Sequence, residues 1–343
     1  MMNSREPNGI AAKLLDFGRR PIPITRRQSL ALVGALITAG GLGAVWHFNR
    51  FALRNAIALN LWVPTPFDHE SGFDRLRASA EAIRPLFIRK GEPVRGEWLA
   101  LFDEPGQSLN QYLRGFTPAL RAANGAILIL PFGEFETRLT AIVNEVVALL
   151  DLFYERRVQI LPVEPAPPLA ADQRRGSGTS EQLFTLPLLD YLKTRVPADA
   201  AALLAMTPVD VTAGPNWNFV FGQASLVDRV GVWSLSRLAE RAAPPALQLR
   251  RVSQVALHEL GHMFGLWHCT AYSCCMNGFD SMKELDAAPL AFCPECDAKV
   301  WWRFGLEPAP RYTRLAEFAR ARGLERDADL WARCARALMG ARV

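Results

Sequence analysis

The spacing of donor residues in His258–Cys275, HELGHMFGLWHCTAYSCC, constrains this chain more tightly than any other stretch. Three of the five histidines and five of the six cysteines fall between His258 and Cys296. Packing alone gives no reason for such crowding of nitrogen and sulfur. His258 and His262 are four apart, so a helix stacks them on one face and points both imidazoles at a single ion. Glu259 lies beside them, placed to reach a water on that ion without ligating it. Gly265 permits a left-handed turn that ends the helix, and the returning chain delivers His268 as a third nitrogen. Three protein ligands plus water describe a catalytic zinc, which lowers the pKa of its water to ~7 and polarises a carbonyl. A bare H-E-x-x-H arises by chance in roughly one chain per hundred of this size. Gly265 and His268 at fixed spacing lower that by about three further orders of magnitude. The competing reading, an amphipathic helix with satisfied core histidines, is set aside on that ground.

The cysteines carry a second message. Cys269-x4-Cys274 and Cys293-x2-Cys296 are two close pairs, the arrangement that tetrahedral thiolate coordination of zinc wants. Two disulfides in an oxidising compartment are the alternative, and the spacing favours zinc over them. A zinc here would tie the segment after the active helix to the start of a C-terminal helix. Cys275 and Cys334 are left over and read as small buried hydrophobes, Cys334 on the apolar face of LWARCARAL.

The pattern H-E-x-x-H-x-x-G-x-x-H is the metzincin signature, and its continuation is narrower. Cys269 follows the third histidine at once, then come Cys274, Met276 in a C-x-M form, sixteen further residues and Cys293-Pro-Glu-Cys296. This resembles the archaemetzincins. Gly96–Leu113 (GEWLALFDEPGQSLNQYL), Ile127–Phe135, Asn216–Leu238 and the closing helical stretch RYTRLAEFARARGL are similar to that family too, so the resemblance runs from about Ala58 onward. It implies an α/β (α+β) chain with a metzincin-like zinc peptidase fold: a mixed twisted sheet, an active-site helix, a Met-turn and a small helical C-terminal subdomain. It implies His258, His262 and His268 as ligands of a catalytic zinc, with Glu259 as the general base acting on the zinc-bound water. Met276 would be the methionine beneath the metal. Cys269, Cys274, Cys293 and Cys296 would hold a structural zinc, giving two zinc ions per chain. The family also lays its substrate along an edge strand, for which Asn218, Phe219, Val220, Phe221 and Gly222 are the candidates. An interior strand with no substrate role is the rival reading of those five.

Charge and hydropathy divide the chain. Residues 1–54 carry eight basic side chains against Glu6 and Asp16, a net of +6 where the whole chain has +5. The near-neutral remainder has no electrostatic footprint for a phosphate backbone, so nucleic acid is excluded as a partner. The expected organisation is a targeting segment (1–54) ahead of one metallopeptidase domain (55–343). Thr25–Leu30 resembles a twin-arginine export motif. Leu30–Phe48 is apolar for about nineteen residues, near the ~20 that span a bilayer, with its basic flank before it. Those features predict a transmembrane or exported protein, held at the inner membrane or in the periplasm. The alternative is a cytoplasmic protein whose first helix packs on the core. A monomer is expected.

Between these parts, strand and helix signals alternate. Ala126–Pro131 and Val158–Val163 read as strands, Leu139–Phe153 as a helix, and Pro162–Ser180 as an exposed loop. Glu181–Lys193 and Asp199–Met206 read as helical, Asn218–Ser225 and Gly231–Leu235 as paired strands. Pro244 and Pro245 start the long helix that carries His258. Two functions remain: a zinc peptidase, or a non-catalytic zinc scaffold that binds peptides or partners through the same cleft. Glu259 favours the enzyme, because a binding module needs no general base. Three histidines argue against an iron oxygenase, which wants two and a carboxylate.

Overall fold

The computed structural model describes residues 70–115 and 124–340, all within the larger of two units, Trp62–Val343. Helices α1 (Glu70–Ile83), α2 (Trp98–Leu101) and α3 (Leu109–Gly115) precede strand β1 (Ile127–Pro131), helix α4 (Thr137–Tyr154) and strand β2 (Val158–Ile160). Strands β3 (Arg174–Arg175) and β4 (Gln182–Phe184), helix α5 (Thr185–Lys193), and strands β5 (Ala202–Thr207), β6 (Asp210–Thr212), β7 (Gly222–Ala224) and β8 (Val230–Ser234) follow. The remainder is helical: α6 (Pro245–Met263), α7 (Met282–Ala287), α8 (Pro294–Phe304), α9 (Pro308–Arg320) and α10 (Glu325–Gly340).

Continuous apolar runs make the main sheet. β1 (ILILP), β5 (ALLAMT) and β8 (VGVWS) are almost wholly buried, as strands covered on both faces must be. The order is β2-β1-β5-β8-β7, with the first four parallel and β7 antiparallel at the edge. Alternation along each strand sorts its side chains. Ile127, Ile129, Leu204, Met206 and Trp233 join the core containing α4 and α6, whereas Leu130, Leu203, Ala205, Val230 and Val232 meet Leu188, Leu189 and Leu192 of α5. A small second sheet, β3-β4-β6, lies beyond the β7 edge and joins it through a bridge between Val211 and Val220. The fold is therefore mixed α/β, with a helical C-terminal part.

Helix α6 runs through the middle. Pro244 caps it and Pro245 takes its first position, where a missing N–H costs nothing. It is buried nearly all round, so its polar groups need partners. Arg250 pairs with Asp327 at 2.8 Å, Arg251 with Asp286, and Gln254 donates to the Leu285 carbonyl.

Several expectations need correction. Asp199–Met206 is not a helix: Ala202–Thr207 forms β5, the central strand. A short apolar run reads alike as buried strand or buried helix, and only registry with β1 and β8 separates them. Gln182–Phe184 pairs as β4 ahead of the helix expected from Glu181. The expected transmembrane segment is also corrected, since among the described residues no helix is long and apolar enough to cross a membrane. The long helices carry charge inside their apolar faces, as α6 does with Arg250, Arg251 and Glu259. Leu30–Phe48, the Thr25–Leu30 motif and the 1–54 segment lie outside the described residues.

Candidate metal centre and active site

Each of the three histidines is oriented by a partner on its Nδ1. His258 Nδ1 lies 2.9 Å from the Cys275 carbonyl, and His262 Nδ1 lies 2.7 Å from that of Leu266. His268 Nδ1 lies 2.9 Å from both carboxylate oxygens of Glu104. A carbonyl accepts only, so Nδ1 of His258 and His262 carries the proton and Nε2 is left as a lone pair. Burial, and then His268 nearby, pushes the His258 imidazolium down to about 3; His262 is driven the same way by burial and by His258. Both rings are therefore neutral near pH 7.

The Nε2 atoms of His258 and His262 are 3.0 Å apart. Two lone pairs at that distance repel unless a cation lies between them. Tetrahedral zinc with Zn–N of about 2.0–2.1 Å would set its nitrogens about 3.3 Å apart, so the spacing fits that ion. Ligand atoms of all three histidines lie within 4.8 Å of one another. The fit is in the donors and their orientation alike.

The turn that supplies the third histidine is a Schellman motif. Gly265 has φ of 86°, its N–H bonds the His262 carbonyl, and the Leu266 N–H reaches back to Gly261. Neighbours brace it: Tyr112 donates to the Phe264 carbonyl at 2.9 Å, and Gln107 Nε2 donates to that of Gly265 at 3.1 Å. Beneath the rings, Met276 is fully buried, and a Cβ on Gly261 would meet its sulfur at 2.4 Å. The missing side chain at Gly261 lets the methionine lie directly against the helix.

Glu259 is buried, and burial holds its carboxyl well above the ordinary carboxylate range. Its Oε2 has no hydrogen-bond partner among the described residues. It faces β7, where a Cβ on Gly222 would stand 2.5 Å from Oε1. The carboxylate is thus wedged between its own helix and the sheet edge.

The four cysteines Cys269, Cys274, Cys293 and Cys296 are buried, and their sulfurs lie within 4.8 Å of one another. Cys269 and Cys293 sulfurs are 3.6 Å apart, against ~2.05 Å for a disulfide and about 3.8 Å for an edge of tetrahedral Zn–S₄. All six cysteines are free. Backbone N–H groups of Met276 and Cys293 donate to the Cys274 sulfur. Burial pushes the Cys274 and Cys293 thiols up, while hydrogen bonds from Cys274, Cys293 and Cys296 pull Cys269 down. Four buried thiols at this spacing make a donor set suited to a soft divalent ion.

The strand candidates fare unevenly. Gly222 begins β7, but Asn218, Phe219, Val220 and Phe221 precede it. Gln182 and Arg175 bond the Asn218 carbonyl, and the Val220 N–H bonds Val211, so the second sheet already covers that stretch. Within the Asn218–Ala224 stretch, the part that presents a strand edge is Gly222–Ala224. Bonds from Ser234 to Phe221 and from Ser225 to Val230 face β8, so the N–H and C=O of Gly222 and Ala224 point the other way. Glu104 was missed from sequence: it lies in the Gly96–Leu113 stretch, 164 residues before its histidine, and no local spacing marks it.

The Peptidase family M54 profile matches residues 186–301. Archaemetzincin of Thermococcus kodakarensis is 31% identical over 193 residues, covering 51% of this chain and 94% of that protein. Archaemetzincin of Archaeoglobus fulgidus is 35% identical over 133 residues, covering 35% of this chain and 81% of that protein. Archaemetzincin-2 of Pongo abelii is 30% identical over 196 residues, and the chain spans 54% of its length. A crystal structure of archaemetzincin from Methanopyrus kandleri matches 54% of this chain and 98% of its own, with 28% identity and a TM-score of 0.45. The chain belongs to the archaemetzincins, peptidase family M54.

Proposed function

We propose that this protein hydrolyses peptide bonds with one zinc held by His258, His262 and His268, and that Cys269, Cys274, Cys293 and Cys296 hold a second, structural zinc. The observation that carries the reading is the convergence of imidazole nitrogens, each ring held from behind, beside a buried carboxylate with a free oxygen. Bound there, zinc would polarise the scissile carbonyl and bring the pKa of a water to ~7. Glu259 takes a proton from the attacking water as its oxygen bonds the carbonyl carbon. It then delivers that proton to the amide nitrogen as the C–N bond breaks. Burial makes the carboxyl a stronger base than an exposed one, which suits a group that takes a proton and hands it on. No side-chain nucleophile takes part. The outward backbone groups of Gly222 and Ala224 pair with an extended peptide as an added strand.

Glu259→Gln tests the assignment. Its zinc content is expected to match the parent while hydrolysis of a mixed peptide library falls by about 10²–10⁴-fold, the usual worth of a general base. Loss of the histidine-bound zinc together with activity would make Glu259 a ligand instead. A zinc-loaded parent that binds peptides and cleaves none would return the protein to the scaffold reading.

A further inference from the structure

A single stretch, His268–Asn277, serves both groups of metal-binding side chains. His268 belongs to the histidine centre, and Cys269 and Cys274 supply two of the four clustered sulfurs. The next residue, Cys275, turns its carbonyl to Nδ1 of His258 at 2.9 Å, so the same stretch orients a second histidine. Met276 closes the loop on itself. Its carbonyl accepts the Cys269 N–H at 2.7 Å, and its own N–H donates to the Cys274 sulfur at 3.4 Å. A shift of either cysteine backbone therefore reaches His268 or the carbonyl behind His258.

Asn277 fixes that stretch from inside. It is buried, and its amide oxygen accepts the Cys274 N–H at 2.8 Å. Nδ2 donates to the Cys269 carbonyl at 2.6 Å and to the Tyr272 carbonyl at 2.9 Å. Its backbone N–H donates to the Cys274 carbonyl at 3.0 Å. One amide thus ties together both ends of the Cys269–Cys274 turn. Carbonyls accept only, so both protons of Nδ2 are needed there. A neutral aspartic acid has one O–H and cannot serve two carbonyls; an ionised one would face both oxygens in a buried site. On its other side the turn is held by a separate segment, with Ser273 donating to the Ile88 carbonyl and Lys90 to that of Ala271.

We infer that Asn277 is a positioning residue that links the two metal centres. By holding Cys269 and Cys274 at ligand spacing it sets His268 and the Cys275 carbonyl, and a metal ion on the four cysteines thereby tightens the histidine centre. The inference rests on the two-zinc reading. Such coupling is reciprocal, so a metal on the histidines steadies the cysteines by the same factor. Partners that orient metal ligands contribute about 10–100-fold to metal affinity, which sets the size of the effect.

Chelator competition on the zinc-loaded full chain tests it. His262→Ala identifies the zinc of the histidine centre, and thiolate-to-cobalt charge-transfer absorption after cobalt(II) exchange identifies the cysteine centre. Asn277→Asp is expected to bind zinc at the histidine centre about 10–100-fold more weakly, although all three histidines are intact. Cys293→Ser should weaken that centre in the same range, because the loop then lacks its own metal. Leu192→Ala, a cavity in the other core, loosens the fold without touching the loop and should leave the affinity unchanged. Parent-like affinity in Asn277→Asp or in Cys293→Ser overturns the inference, and so does an equal loss in Leu192→Ala. If circular dichroism shows Asn277→Asp unfolded, Cys293→Ser against Leu192→Ala decides the link. A parent without the charge-transfer band would overturn the two-zinc reading and the inference together. A parent with the band, whose variants keep full affinity, overturns the inference alone.

Discussion

At the residue scale, two side groups matter by their size and by their charge. Gly222 has to lack a side chain, because the space for a Cβ is held by the Glu259 carboxylate. Gly222→Ala is expected to keep its zinc and its melting temperature to within a few degrees, yet lose about 10²-fold in kcat/KM, since small displacements of a catalytic group cost that much. Unchanged turnover would mean that Glu259 tolerates being moved. Glu104 acts through charge: it alone gives a histidine of the centre a carboxylate partner, where His258 and His262 have carbonyls. Glu104→Gln should weaken zinc binding by about 10–100-fold in chelator competition, the usual effect of removing a carboxylate behind a ligand. An unaltered affinity would leave Glu104 a surface ion pair of little consequence.

At the scale of elements, the centre depends on how α6 ends and α8 begins. The Schellman turn at Gly265 sends the chain to His268 and Cys269, and Cys293 caps α8 with Cys296 in its first turn. The cysteine cluster thus joins two helix ends that have no sequence proximity. Metal analysis of the intact protein should find about two zinc ions, and Cys293→Ser about one, with a lower melting temperature, because a structural zinc adds its binding free energy to folding. Two zinc ions retained by Cys293→Ser at an unchanged melting temperature would refute the four-cysteine site.

At the scale of the molecule, the C-terminal helices are fastened to the sheet layer by a buried charge. Arg311 of α9 is fully buried, donates to the Phe153 carbonyl of α4 at 2.6 Å, and pairs with Asp297 of α8, which also accepts from Tyr312. Burial pushes the Asp297 carboxyl up against the opposing pull of Arg311, so the pair holds only while both members stay. Arg311→Ala should cost about 3–5 kcal/mol in urea denaturation, the price of stranding a buried partner. A change below about 1 kcal/mol would place that anchor in the apolar contacts instead. The local signals in this chain were legible as sequence: histidines four apart on one helical face, Gly265 at a helix end, prolines at the start of α6, paired cysteines at ligand spacing. Each depends on neighbours a few residues away, where helix geometry alone sets the distances. What the tertiary structure decided is whatever depends on pairing across the chain. Ala202–Thr207 became the central strand because β1 and β8 flank it, although its composition suits a helix equally well. Asn218–Phe221 lost its free edge because the second sheet covers it, and Glu104 found His268 because two distant loops fold together. Local backbone geometry reaches only about one helical turn, and beyond that the packing of one core against another determines which groups meet.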